Sequence, residues 1–122
     1  MLEALNIEIK EVSAERVVAT MPVNEATRQP VGLLHGGASV ALAETVASIG
    51  TWNLIDQKTQ AAVGLEINAN HLRGKREGIV TAIGTPLHKG TRTMIWDIRI
   101  NDEDDKLICI SRCTMAIIDQ QS

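Results

Sequence analysis

The sequence predicts an α+β domain in which a curved antiparallel sheet wraps around one long central helix. Three observations carry that expectation. The stretch from His35 to about Leu54 is apolar almost all the way round a helix. Two strand-like segments precede it, and four follow it without interruption. Strands segregated from a single helix in this way pack as an antiparallel sheet with the helix against one face. The 122 residues suit one domain spanning 1–122, and 44% apolar residues supply a core. Phe and Tyr are absent and only Trp52 and Trp96 are aromatic, so that core is aliphatic.

The elements follow in order. Leu5 to Val12 alternates, with Leu5, Ile7 and Ile9 set against Asn6, Glu8 and Lys10, which predicts a strand with one wet face. Ser13-Ala14-Glu15 reads as a turn and Arg16 to Val23 as the second strand of a hairpin. Asn24 to Gly32 is polar and contains Pro30 and Gly32, the composition of a loop or a short helical turn. In the helix, alanines at 38, 41, 43 and 47 mix with Val40, Leu42, Val46, Ile49 and Trp52, so burial on most sides is expected. Asp56-Gln57-Lys58 ends it. The remaining strands are Ala61 to His71, Gly78 to Pro86, Thr91 to Asn101 and Lys106 to Ile118, the last two joined by the acidic turn Asn101 to Asp105. One copy of such a sheet has unpaired edges, so pairing between subunits is expected.

Composition excludes several classes of function. A net charge of -3, no run of basic residues and no aromatic platform argue against a nucleic-acid partner. No stretch reaches the ~18 apolar residues of a membrane span. Met1-Leu2-Glu3-Ala4 lacks the basic and apolar regions of a signal peptide, so a cytoplasmic location is expected. Cys109 and Cys113 lie on one strand face at ~13 Å, too far for a disulfide. They have no His or Cys neighbours at ligand spacing, and no metal is expected.

Two features point to chemistry. Glu44 is the only charged residue between His35 and Leu54. It either lies on an exposed stripe or is a functional carboxylate, since burying one without partners is costly. Thr45 and Ser48 add a small polar patch, with Ser48 one turn beyond Glu44. His35-Gly36-Gly37 opens the helix, where free N–H groups and the macrodipole suit a developing oxyanion. The glycines would equally serve to shape a tight helix start. Glu44 follows Gly36 by eight residues, or ~12 Å along the helix. The two cannot meet at one carbonyl from the same helix. If both act, they come from two subunits across a two-fold interface.

The run Thr27-Arg28-Gln29-Pro30-Val31-Gly32-Leu33-Leu34-His35-Gly36-Gly37-Ala38-Ser39-Val40, followed by Glu44 and Ser48, closely resembles hot-dog fold acyl-CoA thioesterases. The resemblance is to the bacterial phenylacetate-pathway and 1,4-dihydroxy-2-naphthoyl-CoA hydrolase type. Val63 to His71 and Pro86 to Arg92 resemble the same group. The resemblance implies that Glu44 is nucleophile or general base at the thioester carbonyl. It implies that the Gly36 N–H and the Gln29 side chain polarise that carbonyl, that His35 positions the helix start, and that Ser48 holds the attacking water or Glu44. Gly37 would border the substrate. Gly64, His71, Leu72, Arg73 and Gly74 would wall the acyl or pantetheine channel. His88, Lys89, Gly90, Thr91, Arg92 and Thr93 would grip CoA, with Arg73 and Arg92 on its phosphates.

The resemblance further implies a small-molecule acyl-CoA substrate, no cofactor beyond the CoA that is part of it, and no metal. The expected assembly is a homo-oligomer, a dimer with shared sites and a dimer of dimers. Menaquinone synthesis and degradation of aromatic acids both fit. Two other readings use the same fold. A hydratase or dehydratase would need an acid/base pair near the α and β carbons, whereas Gln29, Gly36 and Glu44 are aimed at the carbonyl. A non-catalytic acyl-CoA binding or sensing module would be expected to carry an added DNA-binding helical unit, for which 122 residues leave no room.

Overall fold

The computed structural model describes residues 2–120. Its elements are α1 (Leu2–Leu5), β1 (Glu8–Val12), β2 (Val17–Val23), α2 (Gly36–Leu54), β3 (Gln60–His71), β4 (Gly78–Lys89), β5 (Thr93–Asn101) and β6 (Leu107–Asp119). The six strands form one sheet in the order β1-β2-β4-β5-β6-β3, and every pairing is antiparallel. The expected α+β architecture, a sheet curved around one long helix, is the one observed.

Three strand boundaries differ from the expectation by two residues or more. Leu5 belongs to a helical turn rather than to the first strand. That turn closes at Asn6 with φ 56°, a left-handed conformation Asn tolerates, and the Ile7 N–H returns to the Leu2 carbonyl at 2.9 Å. The strand then starts at Glu8. At the other end, β4 continues past Pro86 to Lys89 and β5 begins at Thr93, not Thr91. The β2 partner stops at Gly84, and a register shift lies between Pro86 and His88. Pro86 therefore sits beyond the end of the β2 pairing and beside an irregularity in the β5 pairing, where a proline is tolerated.

Period two puts alternate residues inside. Val17, Ala19, Met21 and Val23 of β2, Val80 and Ala82 of β4, and Met94, Trp96, Ile98 and Ile100 of β5 are buried. Cys109, Cys113 and Met115 continue the core on β6. The helix presents Ala38, Leu42, Ala43, Val46, Ala47 and Gly50 to this face. Trp96, fully buried, is the largest core residue. Its indole N–H donates to Thr51 Oγ1 at 2.9 Å. Gly50 makes room for it, since a Cβ there would lie 2.4 Å from its ring, and Gly84 does the same for Val46, whose Cγ1 would lie 2.4 Å from an added Cβ. The expected burial of α2 on most sides holds for one stripe only. Val40, Ala41, Ser48 and Ile49 are half-buried and Glu44 is exposed, because the sheet covers only one side of the helix.

Candidate active site

The start of α2 is built by two loops. His35 is the N-cap, and its Nδ1 accepts the Gly37 N–H at 2.8 Å. Its backbone N–H donates to the Thr27 carbonyl at 2.7 Å. Between them the chain turns tightly. The Gln29 N–H donates to the Leu33 carbonyl at 2.8 Å, and Gly32, at φ 90°, donates to the Gln29 carbonyl at 2.9 Å. The Gln29 side chain folds back so that Oε1 accepts the Val31 N–H at 2.6 Å. With its oxygen occupied in this way, the outward-facing capacity of the amide is its Nε2 donor pair.

The second loop, residues 72–77, supplies the opposite wall. The Leu34 N–H donates to the Lys75 carbonyl at 2.7 Å, and Arg28 Nε donates to the Arg76 carbonyl at 2.8 Å. Lys75 Nζ pairs with Glu103 at 2.5 Å, and the Glu103 carboxylate also accepts the Ile79 N–H at 2.9 Å. The Lys75 bond, first, and the backbone donors hold the Glu103 carboxyl down at about 2. The acidic turn thus ties the 72–77 segment to the sheet. A pocket of about 370 Å³ opens between the two loops, bounded by Gln29, Gly36, His71, Leu72, Arg73 and Gly74, with Leu33, Leu34, Ser39 and Ile108 as further lining. The His71 ring lies against the helix start, where a Cβ on Gly36 would be 3.0 Å from Nε2. The Gly36 amide is in the first turn, where a helix leaves N–H groups without an internal partner. Gly36 N–H, Gln29 Nε2 and the dipole of α2 make this pocket a place where a carbonyl oxygen can take on negative charge.

Glu44 lies two turns further along α2, exposed in the single chain, next to Gly64 of β3. There β3 slips register against β6. Gly64 pairs with Met115 and Glu66 with Thr114, leaving Leu65 as a bulge. Ser48 is half-buried beneath, its Oγ 4.0 Å from Met115 Sδ, and Cys113 Sγ lies 3.7 Å from the same sulfur. Burial, then the Glu44 and Glu66 carboxylates, push the Cys113 thiol up to about 11. This thiol is neutral and is no nucleophile at neutral pH.

The remaining candidates stand apart. His88 to Thr93 forms the β4–β5 hairpin, where the Gly90 N–H donates to the Thr93 carbonyl at 2.9 Å and the Ile117 N–H to the Arg92 carbonyl at 2.8 Å. Thr91 and Arg92 border a separate depression of about 450 Å³ with Gln60 and Asp119. One chain therefore brings Gln29, His35, Gly36, Gly37, His71, Leu72, Arg73 and Gly74 together. It places Glu44, Ser48 and Gly64 together at a second position, and the hairpin at a third. The sequence reading missed Ser39, Ile108, Cys113, Met115 and the bulge at Leu65. The apolar ones carry no local signal that separates a pocket wall from core. Among the described residues, no group of three or more His, Cys, Asp or Glu could hold a metal ion.

Known proteins resemble this chain over most of its length. The model of the Thioesterase superfamily matches residues 31–109. The ComA2 protein of Bacillus subtilis is 64% identical over 118 residues, covering 97% of this chain and 94% of its own. The 1,4-dihydroxy-2-naphthoyl-CoA hydrolase of Escherichia coli is 48% identical over 118 residues, covering 97% of this chain and 86% of its own. A crystal structure of a mutant of thioesterase PA1618 from Pseudomonas aeruginosa superposes with a TM-score of 0.95 at 45% identity, over 98% of this chain and 86% of that one.

Proposed function

The chain belongs to the thioesterase superfamily and is an acyl-CoA thioester hydrolase, and from that premise we propose that it acts on aromatic acyl-CoA esters at sites shared by two copies of the chain. One observation carries the shared site. The two halves of the chemistry lie on the same helix but abut the same edge strand at different points, Glu44 at Gly64 and Gly36 at His71. Strand β3 has only β6 as a neighbour, and its free edge shows Val63 and Leu65 at 41% and 60% exposure. In a two-fold antiparallel pair, opposite residue numbers sum to a constant. With the bulged Leu65 left out of the count, a pairing that sets Gly64 opposite residue 71 of a second copy has its axis at Asn68. At that register Gly64 faces the partner's His71, and Glu44 arrives beside the partner's Gly36.

The mechanism follows from that juxtaposition. The thioester oxygen accepts from the Gly36 N–H and Gln29 Nε2 of one copy. Glu44 of the other copy either attacks the carbonyl carbon or takes a proton from the attacking water. The C–S bond breaks and CoA leaves as thiolate; the water has then either added directly to the acyl carbon or goes on to hydrolyse the acyl anhydride on Glu44, and the acyl group departs as the acid. Ser48 lies one turn from Glu44 and would steady the water, while His35 holds the helix start. Arg73 and Arg92 would meet the CoA phosphates. The reaction uses no group beyond CoA itself, which is part of the substrate. The reading includes a cytoplasmic location; among the described residues no helix is long and apolar enough to cross a membrane. It also includes a dimer of dimers, which sedimentation would distinguish from a dimer.

The aromatic preference rests on similarity to 1,4-dihydroxy-2-naphthoyl-CoA hydrolase and on entropy. A planar ring fills an apolar slot with few bonds to freeze, whereas each bond of a long chain costs a fraction of a kcal/mol, by analogy with side chains, ~0.5 kcal/mol. Two measurements test the reading. Glu44→Gln is expected to lower kcat by about 10²–10⁴-fold with the fold intact, and near wild-type turnover would remove Glu44 from the mechanism. A panel of CoA esters, read by release of free thiol, is expected to give higher kcat/KM for naphthoyl- and benzoyl-type esters than for palmitoyl-CoA below its micelle-forming concentration. A preference for palmitoyl-CoA would overturn the acyl assignment and leave the hydrolase standing.

A further inference from the structure

We propose that Gly64 is a positioning residue for Glu44: the missing side chain on β3 is the berth in which the catalytic carboxylate rests. This rests on the reading of Glu44 as the reacting carboxylate and concerns what aims it. Among the described residues Glu44 makes no side-chain hydrogen bond and no ion pair. A glutamate on an exposed helix face has several rotamers, and catalysis needs one of them. The contact that selects it is steric. A Cβ built on Gly64 would lie 2.7 Å from Glu44 Oε2 and 3.8 Å from Cδ, with no other group as close. The carboxylate therefore occupies the volume that any other residue at 64 would fill.

The backbone does not itself demand glycine here. The positive-φ glycines of the described residues are Gly32 and Gly78, and Gly64 is not among them. The residue is needed for space, not for its dihedral freedom. The flanking residues make the point by contrast. Val63 and Leu65 both carry large side chains, and only position 64 is bare. The register slip between Gly64 and Glu66 falls beside this position, and the bare position lies against the Glu44 side chain of α2. Strand and helix together leave a notch at position 64 in which Glu44 Oε2 rests.

The notch predicts an unusual pattern of effects. A methyl at 64 meets the far end of a flexible side chain, so Glu44 can swing aside and the fold survives. A shift of about 1 Å in a reacting group is enough to lose on the order of 10²-fold in rate. Gly64→Ala is expected to lower kcat by about 10- to 100-fold for every acyl group, with KM and the thermal midpoint unchanged. Glu44→Asp withdraws the carboxylate by one methylene, so adding Gly64→Ala to that variant is expected to cost less than about twofold more. A wild-type kcat in Gly64→Ala would overturn the proposal. So would a rise in KM with kcat intact, which is the mark of a substrate wall, or the same fractional loss in the Glu44→Asp background. Failure of Glu44→Gln to lower kcat would instead sink the reading on which the proposal rests.

Discussion

The two edges of the sheet differ in almost every respect. Strand β1 is five residues long and carries Glu8, Lys10 and Glu11, with Lys10 paired to Glu8 and Arg16 to Glu11. Strand β3 is twelve residues long and shows Val63 and Leu65 to solvent. Short length and alternating charge are how an edge avoids adding strands. A long edge that exposes large apolar side chains and carries Glu66 as its one acidic residue is of the opposite kind, and favours pairing. The difference extends to chemistry, since the β3 side holds Glu44 and both pocket walls while nothing on the β1 side belongs to the proposed site. In the proposed reading, the edge that is free to pair is also the edge across which a second copy completes the site.

Charging β3 is the most direct way to break this contrast. The double variant Val63→Glu with Leu65→Glu is expected to sediment as a monomer and to lose about 10²-fold or more in turnover, the cost of removing the oxyanion donors from the carboxylate. Glu8→Thr on β1 is expected to change neither. A monomer that kept full turnover would show each site to be complete in one chain. Next in size is a mixing experiment. Glu44→Ala and Gln29→Ala chains, each inactive alone, are expected to regain about a quarter of wild-type turnover when exchanged at equal amounts. Half of the dimers are then hybrids, each with one intact site of two. No recovery despite proven exchange would count against sharing across β3.

The smallest effect sharpens the comparison without breaking it. Cys113 pairs in register with Ile67 of β3, and its thiol is raised to about 11. At pH 8 only about one part in a thousand is thiolate. Labelling by a thiol reagent is therefore expected to be slow in the dimer. It should be about tenfold faster after dilution below the dissociation constant, when β3 becomes a fraying edge. Equal rates at both concentrations would mean that pairing adds nothing to the stability of that strand.

Much of this was legible in the residues, and the parts that were not have definite reasons. The helix from His35 to Leu54 follows from its alanines and from apolar residues on nearly every side, and the structure has it at Gly36–Leu54. Glu44 stood out because it is the lone charge there. Its exposure was not legible, because an all-round apolar helix looks the same whether a sheet or a second copy covers the other side. The bulge at Leu65 was invisible for a different reason. Val63, Leu65 and Ile67 alternate as a regular strand would, and register against β6 is a property of pairing, not of spacing. Pro86 misled in the opposite direction, ending a strand on paper that continues past it because its neighbour has already stopped. The lacing of residues 72–77 by Arg28 and Glu103 joins positions far apart in the chain, and no local pattern announces it.

The two tryptophans also make the molecule its own optical instrument. Trp96 has no solvent exposure and donates to Thr51 in the core, whereas Trp52, near the C-terminal end of α2, is 40% exposed. With no tyrosine in the chain, all near-ultraviolet emission comes from these two indoles. The buried one emits to the blue and is shielded from iodide, while the other emits to the red and is quenched. A single spectrum therefore separates loss of the core from events at the helix end, with no label attached.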